Sequence, residues 1–387
     1  MRSRSSAVLV VACFVALLGA GCSATSKRAA TVPRRGSGGF GASPTTTAVT
    51  PPDRPTSAGS VTNVYAAAEQ DVLSPVVQGI PARVYVPNTV ANTVDVIDPR
   101  TFTVIDHYPV GRVPHHITPS WDMKRLYVDN TEGDSLTVID PYTGRPEGTI
   151  PVTDPYNLYF TLDGKTAIVV AERHRRIDFR NAETWQLIKS LPVPWPGVDH
   201  LDLSADGSYF LVSTEYSGQV VKVDLASMEM TGRAIVGGLP VDVKVAPDGS
   251  VFYVANQGRL GVSVIDPNTM QEVQFIPTGR GAHGLQISRD AKALFVTNRA
   301  EGSVSKIDLA TRTLIGTSHI GGSPDMMQVS PDGSELWFSN RNQASVSVID
   351  TRSGVLLHVI KAGRGAHGLA YFPQPGRFNV GHNGVYR

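Results

Sequence analysis

Short apolar runs alternate with polar turns along most of this chain, and the runs read as strands rather than helices. Residues 240–281 show the pattern once, as PVDVKVAPDGSVFYVANQGRLGVSVIDPNTMQEVQFIPTGRG. VDVKVA alternates in character, as a strand with one buried face does. Pro247-Asp248-Gly249 forms a hairpin, because glycine supplies the positive φ such turns need. VFYVAN and GVSVID follow as second and third strands, and EVQFIPTG as a fourth, outer one. The Asp that ends the third strand folds back on the chain as an Asx-type turn.

That closing Asp returns seven times, at Asp98, Asp140, Asp178, Asp224, Asp266, Asp308 and Asp350, with gaps of 42, 38, 46, 42, 42 and 42 residues. A period near forty, filled with strands, predicts an array of four-stranded antiparallel blades. The fold class is therefore all-β, a seven-bladed β-propeller. The hairpin recurs at Asp163-Gly164, Asp206-Gly207 and Asp332-Gly333. The seven carboxylates are expected to be turn formers, one per blade and too far apart to converge. The first unit, from Pro81, starts at its second strand, and the last has a surplus first strand, His367 to Phe372. The C-terminal strand is thus expected to pair into the first blade, closing the ring and leaving no long exposed edge. Residues 61–80 and the tail PQPGRFNVGHNGVYR are expected to cap the rim or add an outer segment.

The second strands read VYVPN, LYVDN, FYVAN, LFVTN and LWFSN. They resemble the YVTN-repeat β-propeller family, and Leu294-Phe295-Val296-Thr297-Asn298 is the closest copy of its motif. The likeness covers about residues 80–373, and DPYNLYF, GVDHLDLSADG, GRGAHGL and PQPGRF are similar to its exported bacterial, YncE-like subgroup. The resemblance implies seven blades and export. DNA binding has been attributed to one relative in that subgroup.

Charge speaks against carrying that over. The net of +1 divides into +6 for residues 1–60 and −5 for residues 61–387. A mildly acidic body is a poor match for nucleic acid, whose binding rests on neutralised phosphates. The basic start belongs to a targeting segment. Arg2 and Arg4 precede the apolar run Ala7 to Leu18, which is too short for a permanent span. Leu18-Gly19-Ala20-Gly21-Cys22 resembles a bacterial lipobox, which implies cleavage before Cys22 and its lipidation. Residues 1–21 are read as signal peptide, 22–60 as a Ser/Thr/Pro/Gly-rich tether and 61–387 as the propeller. The expected location is the cell envelope, lipid-anchored to the outer face of the cytoplasmic membrane. The other cysteine, Cys13, lies in the removed segment, so the body has no thiol for disulfides or thiolate metal sites.

Candidate chemistry gathers where innermost strands begin, at one mouth of the central channel. Those positions read Pro114-His115-His116, Pro155-Tyr156-Asn157, Val198-Asp199-His200, Pro240-Val241-Asp242, Ala282-His283-Gly284, Pro324-Asp325-Met326 and Ala366-His367-Gly368. Five of the ten histidines fall in this register: His115, His116, His200, His283 and His367. Imidazole without sulfur suits zinc or copper(II), so these five are candidate metal ligands. Which of His115 and His116 points inward is open at this stage. Asp199, Asp242, Asp325 and Tyr156 share the mouth, with Glu172, His174, Arg299 and Arg341 from the loops between second and third strands. These are candidate ligand-binding residues. A wet polar mouth holding a small ligand or water is the competing reading. Channel-centred histidines also resemble the copper propeller of nitrous oxide reductase and the d1-haem propellers, but the electron-transfer copper domain is lacking here.

No H-E-x-x-H, phosphate-loop or dinucleotide motif is present, nor a G-x-S-x-G within the body. The expected role is binding or scaffolding by a monomer, with a small ligand or an envelope protein as partner. The alternatives are a metal-dependent hydrolase or lyase using the same mouth, and a protein-interaction platform with an inert channel.

Overall fold

The computed structural model describes residues 63–382 and 385–387. The signal segment, Cys22 and the tether lie outside the described residues. Seven four-stranded antiparallel sheets stand in a ring. Strands Ala282–Ile287, Ala293–Asn298, Ser303–Asp308 and Thr313–His319 make one blade, ordered from axis to rim. Its inner strand is buried throughout and its outer strand only in part. Wedges of aliphatic and aromatic side chains fill the spaces between blades. Phe210 and Val212 of the fourth blade, for example, share a cluster with Ile168, Val170 and Phe179 of the third.

The ring closes as the surplus strand predicts. Ala370–Phe372 pairs antiparallel with Arg83–Asn88 and becomes the inner strand of the first blade. Inner strands of different blades form no continuous sheet, so their N–H groups need other acceptors. Side chains of the preceding blade provide them. Leu201 N–H donates to the Tyr159 hydroxyl at 3.1 Å, Val245 N–H to Asp202 at 2.9 Å and Leu285 N–H to Asp242 at 2.8 Å. At the closing seam Tyr371 N–H donates to Gln328 at 2.8 Å.

The turn carboxylates act as expected in six blades; Thr311 N–H, for one, donates to Asp308 at 2.8 Å. The third blade departs from the pattern. Asp178 lies inside strand Arg176–Asn181, fully buried, between Arg176 at 2.9 Å and Arg180 at 3.5 Å, and it accepts from Ser190 at 2.6 Å. Asn181 holds the turn instead, accepting from Glu183 and Thr184 N–H at 3.0 and 2.8 Å. Counted through Asn181, the two irregular gaps become 41 and 43 residues.

The tail is not an outer segment. Residues 373–382 and 385–387 enter the channel from the end opposite the mouth. Phe160 N–H donates to the Val380 carbonyl at 2.9 Å, the Asn379 amide to the Pro119 carbonyl at 2.7 Å, and the Arg387 guanidinium to Asp202 at 2.9 Å. Tyr65 lies against Arg387 and donates to the Val245 carbonyl at 3.0 Å, so part of segment 63–80 covers the same end.

Removing one partner of a buried ion pair costs about 3–5 kcal/mol. Asp178→Ala is expected to destabilise the fold by that amount, and Asp308→Ala, at an open turn, by less. Denaturant unfolding of the two variants checks the ranking.

Candidate metal centre in the channel

Adjacent residues of a regular strand point to opposite faces. Here a bulge breaks that rule. Pro114 pairs with Asn130 but Ile117 with Val128, so the inner strand carries one extra residue, and four other blades repeat the shift. A bulge of this kind re-aims side chains. Both His115 and His116 therefore reach the channel, their rings 5.3 Å apart and 17° from parallel.

His116 is the hub. Its ring centroid lies 4.9 Å from His367, 5.3 Å from His200 and 4.2 Å from His382. Gly368 makes this possible, since a Cβ there would collide with His116 Nδ1. Two triads result, His115/His116/His367 and His116/His200/His382, each offering one ring nitrogen per residue within 4.8 Å of the others. All five residues are buried. Neither nitrogen of His115, His116 or His382 has a hydrogen-bond partner. His382 escaped the repeat argument because it comes from the tail, in a Gly-His-Asn-Gly stretch that matches no blade position.

Burial pushes the His115 imidazole down to about 3, and the nearby Arg341 charge acts in the same direction. Burial and neighbouring imidazoles hold His116 well below the usual histidine range. Burial does the same for His367 and His382. These rings are neutral at pH 7. His200 differs: burial opposes its charge, but Asp199, 2.5 Å from its Nδ1, prevails and raises it. Burial works against the Asp199 charge too, and His200 outweighs it, lowering the carboxyl.

The other predicted residues separate into several roles. His283 is engaged elsewhere, with Nδ1 2.9 Å from Asp325 and Nε2 touching Arg299, which itself donates to Asp325 at 2.7 Å. Tyr156 packs against His115 at 4.4 Å. Asp242 holds the backbone of the next blade. Glu172 is half-buried, and burial followed by Asp199 raises it. His174 is exposed. Arg341 lines a recess of about 240 Å³ with Arg364. Glu215 was not anticipated. Burial, then Asp199, pushes its carboxyl up to about 7, and the Gln257 amide donates to it at 2.9 Å.

In metal-free protein the lowered imidazoles link stability to acid. An unfolded histidine titrates near 6.5, while folded His115 does so at about 3. Their contribution is intact above about pH 6.5 and is lost as pH falls toward 3. His200, raised, works in the opposite sense but is outnumbered. The melting temperature is expected to fall between pH 7 and pH 5, and to fall less in His382→Ala, as measured by thermal unfolding at both pH values.

A family model described as a YNCE-like beta-propeller matches residues 56–375. Solved structures of similar shape include Kuenenia stuttgartiensis hydrazine synthase, at 19% identity over 70% of this chain and 96% of that one, TM-score 0.58. The dihydro-heme d1 dehydrogenase NirN in complex with DHE is 16% identical over 83% of this chain and 82% of its own, TM-score 0.59. A putative 6-phosphogluconolactonase from Bacteroides uniformis ATCC 8492 is 17% identical over 75% and 99%, TM-score 0.63. At these identities the likeness is one of fold. No curated protein matches the sequence.

Proposed function

Since the chain belongs to the YNCE-like β-propeller family, whose fold does not by itself specify a chemistry, we propose that it is an exported binding protein whose channel holds a transition metal. The position is at His115, His116 and His367, and zinc or copper(II) suits its donors. One observation carries this reading. His367 Nδ1 donates to the His115 carbonyl at 3.1 Å, so its Nε2 presents a lone pair. That lone pair faces Asp325 Oδ2 at 3.6 Å, and the Oδ2 has no hydrogen-bond partner. Two electron-pair donors confront each other with no proton between them. Buried polar groups left unpaired cost about 1–3 kcal/mol each, and a cation removes that cost. Bound there, the metal would also tie the C-terminal segment of the first blade to the second blade.

The mouth then supplies recognition, with Tyr156, Arg299 and Arg341 around the metal and a small ligand or envelope protein as partner. Cys22 lipidation would hold the body outside the membrane on a tether of ~38 residues, whose mean reach is on the order of 35 Å. A hydrolytic role has one supporting observation, the Glu215 carboxyl poised near neutrality at the mouth.

Protein purified without a histidine tag is expected to bind zinc or copper(II) stoichiometrically. His367→Ala should abolish binding at this position, and Asp325→Asn should weaken it about 10–100-fold, the usual effect of losing a supporting group. Calorimetric titration that detects no metal binding by the wild type overturns the reading. Cys22→Ala is expected to release the protein from the membrane fraction, and unchanged retention removes the anchor.

A further inference from the structure

We propose that a second metal position lies deeper in the channel, formed by His116, His200 and His382, and that docking of segment 373–387 completes it. The inference rests on the reading that the channel binds a transition metal. It concerns a second set of ligands that shares only His116 with the first, and gives the tail a role the blades cannot supply.

The three residues are buried, and their candidate nitrogens lie within 4.8 Å of one another. Ligands held 2.0–2.1 Å from one ion stand about 3.3–4.1 Å apart, so a modest rotation of each ring closes the set. The nitrogens are free to do so. Both nitrogens of His116 and of His382 lack partners, as does Nε2 of His200. The other His200 nitrogen lies 2.5 Å from Asp199 Oδ1. A carboxylate on the far side of an imidazole is the arrangement that orients a metal-binding histidine.

His382 is carried there by a built structure. Gly381 lies so close to Tyr159 that a Cβ would collide with its ring. Asn379 and Val380 are bonded to the second and third blades, and Arg387 to Asp202 of the fourth. The segment is thus fixed on both sides of His382. It spends those contacts placing an unpartnered imidazole among two others. An ion bound by all three must hold the segment in place, because a ligand that binds only the docked form stabilises it.

Hydrogen exchange tests the linkage. Val380 N–H is bonded to the Val385 carbonyl and Arg387 N–H to the Phe378 carbonyl, so amides of the segment report its docking. With zinc at about 100 times its Kd, exchange through segment release is expected to slow about 100-fold in the wild type. The same slowing is expected in His367→Ala, which spares the deeper set. It should vanish in His382→Ala and in His200→Ala; the second variant leaves the segment's own anchors untouched. Zinc protection that persists in His200→Ala and His382→Ala overturns the proposal. So does its absence in wild-type protein that calorimetry shows to bind zinc, and that outcome leaves the first metal position standing. A wild type that binds no zinc at all removes both.

Discussion

At four junctions of the ring an inner strand presents N–H groups that no neighbouring strand accepts from, and a buried N–H without an acceptor is too costly to leave. Tyr159, Asp202, Asp242 and Gln328 meet that need across four blade junctions. Much of the channel's chemistry follows from this. Asp242 looks like a ligand in the sequence, yet, like Asp202, it is occupied in holding the ring together. Arg299 and His283 engage one oxygen of Asp325, Oδ1, and leave its Oδ2 without a hydrogen-bond partner. The unpaired nitrogens that remain belong mainly to imidazoles, and their convergence is what the junctions leave over.

The same economy explains the electrostatics. A wet channel would let histidines titrate normally. Residues 373–382 and 385–387 shut one end, the rings are buried, and burial is the first cause of the downward shift in His115, His116, His367 and His382. Only His200, with Asp199 against it, departs from this. A plugged propeller thereby turns ordinary side chains into neutral donors at pH 7.

Repetition made the fold legible. Seven units, their hairpins and the surplus strand His367–Phe372 dictate the ring and its closure before any coordinate is known. Repetition was also the source of the misreadings. Asp178 fits the apolar run that precedes a turn, but the local pair of arginines pulls it into the blade and Asn181 takes the turn. Asp242 occupies a site position and serves a neighbour's backbone, which only distances in space reveal. His115 and His116 could not be told apart by alternation, because a bulge abolishes it. His382 belongs to no repeat, so nothing periodic pointed to it; its place depends on how the tail packs.

Segment 366–387 shapes the order in which the molecule forms. Most blades are local hairpins that need nothing beyond some forty residues of chain. The contact from His367 to His115 spans 252 positions. Contacts so remote carry the largest loop-closure cost and form late in folding. Blades two to seven can therefore assemble while the channel is still an open cleft, with its histidines hydrated and accessible. The constellation becomes a site only at the final step, when the first blade receives its inner strand.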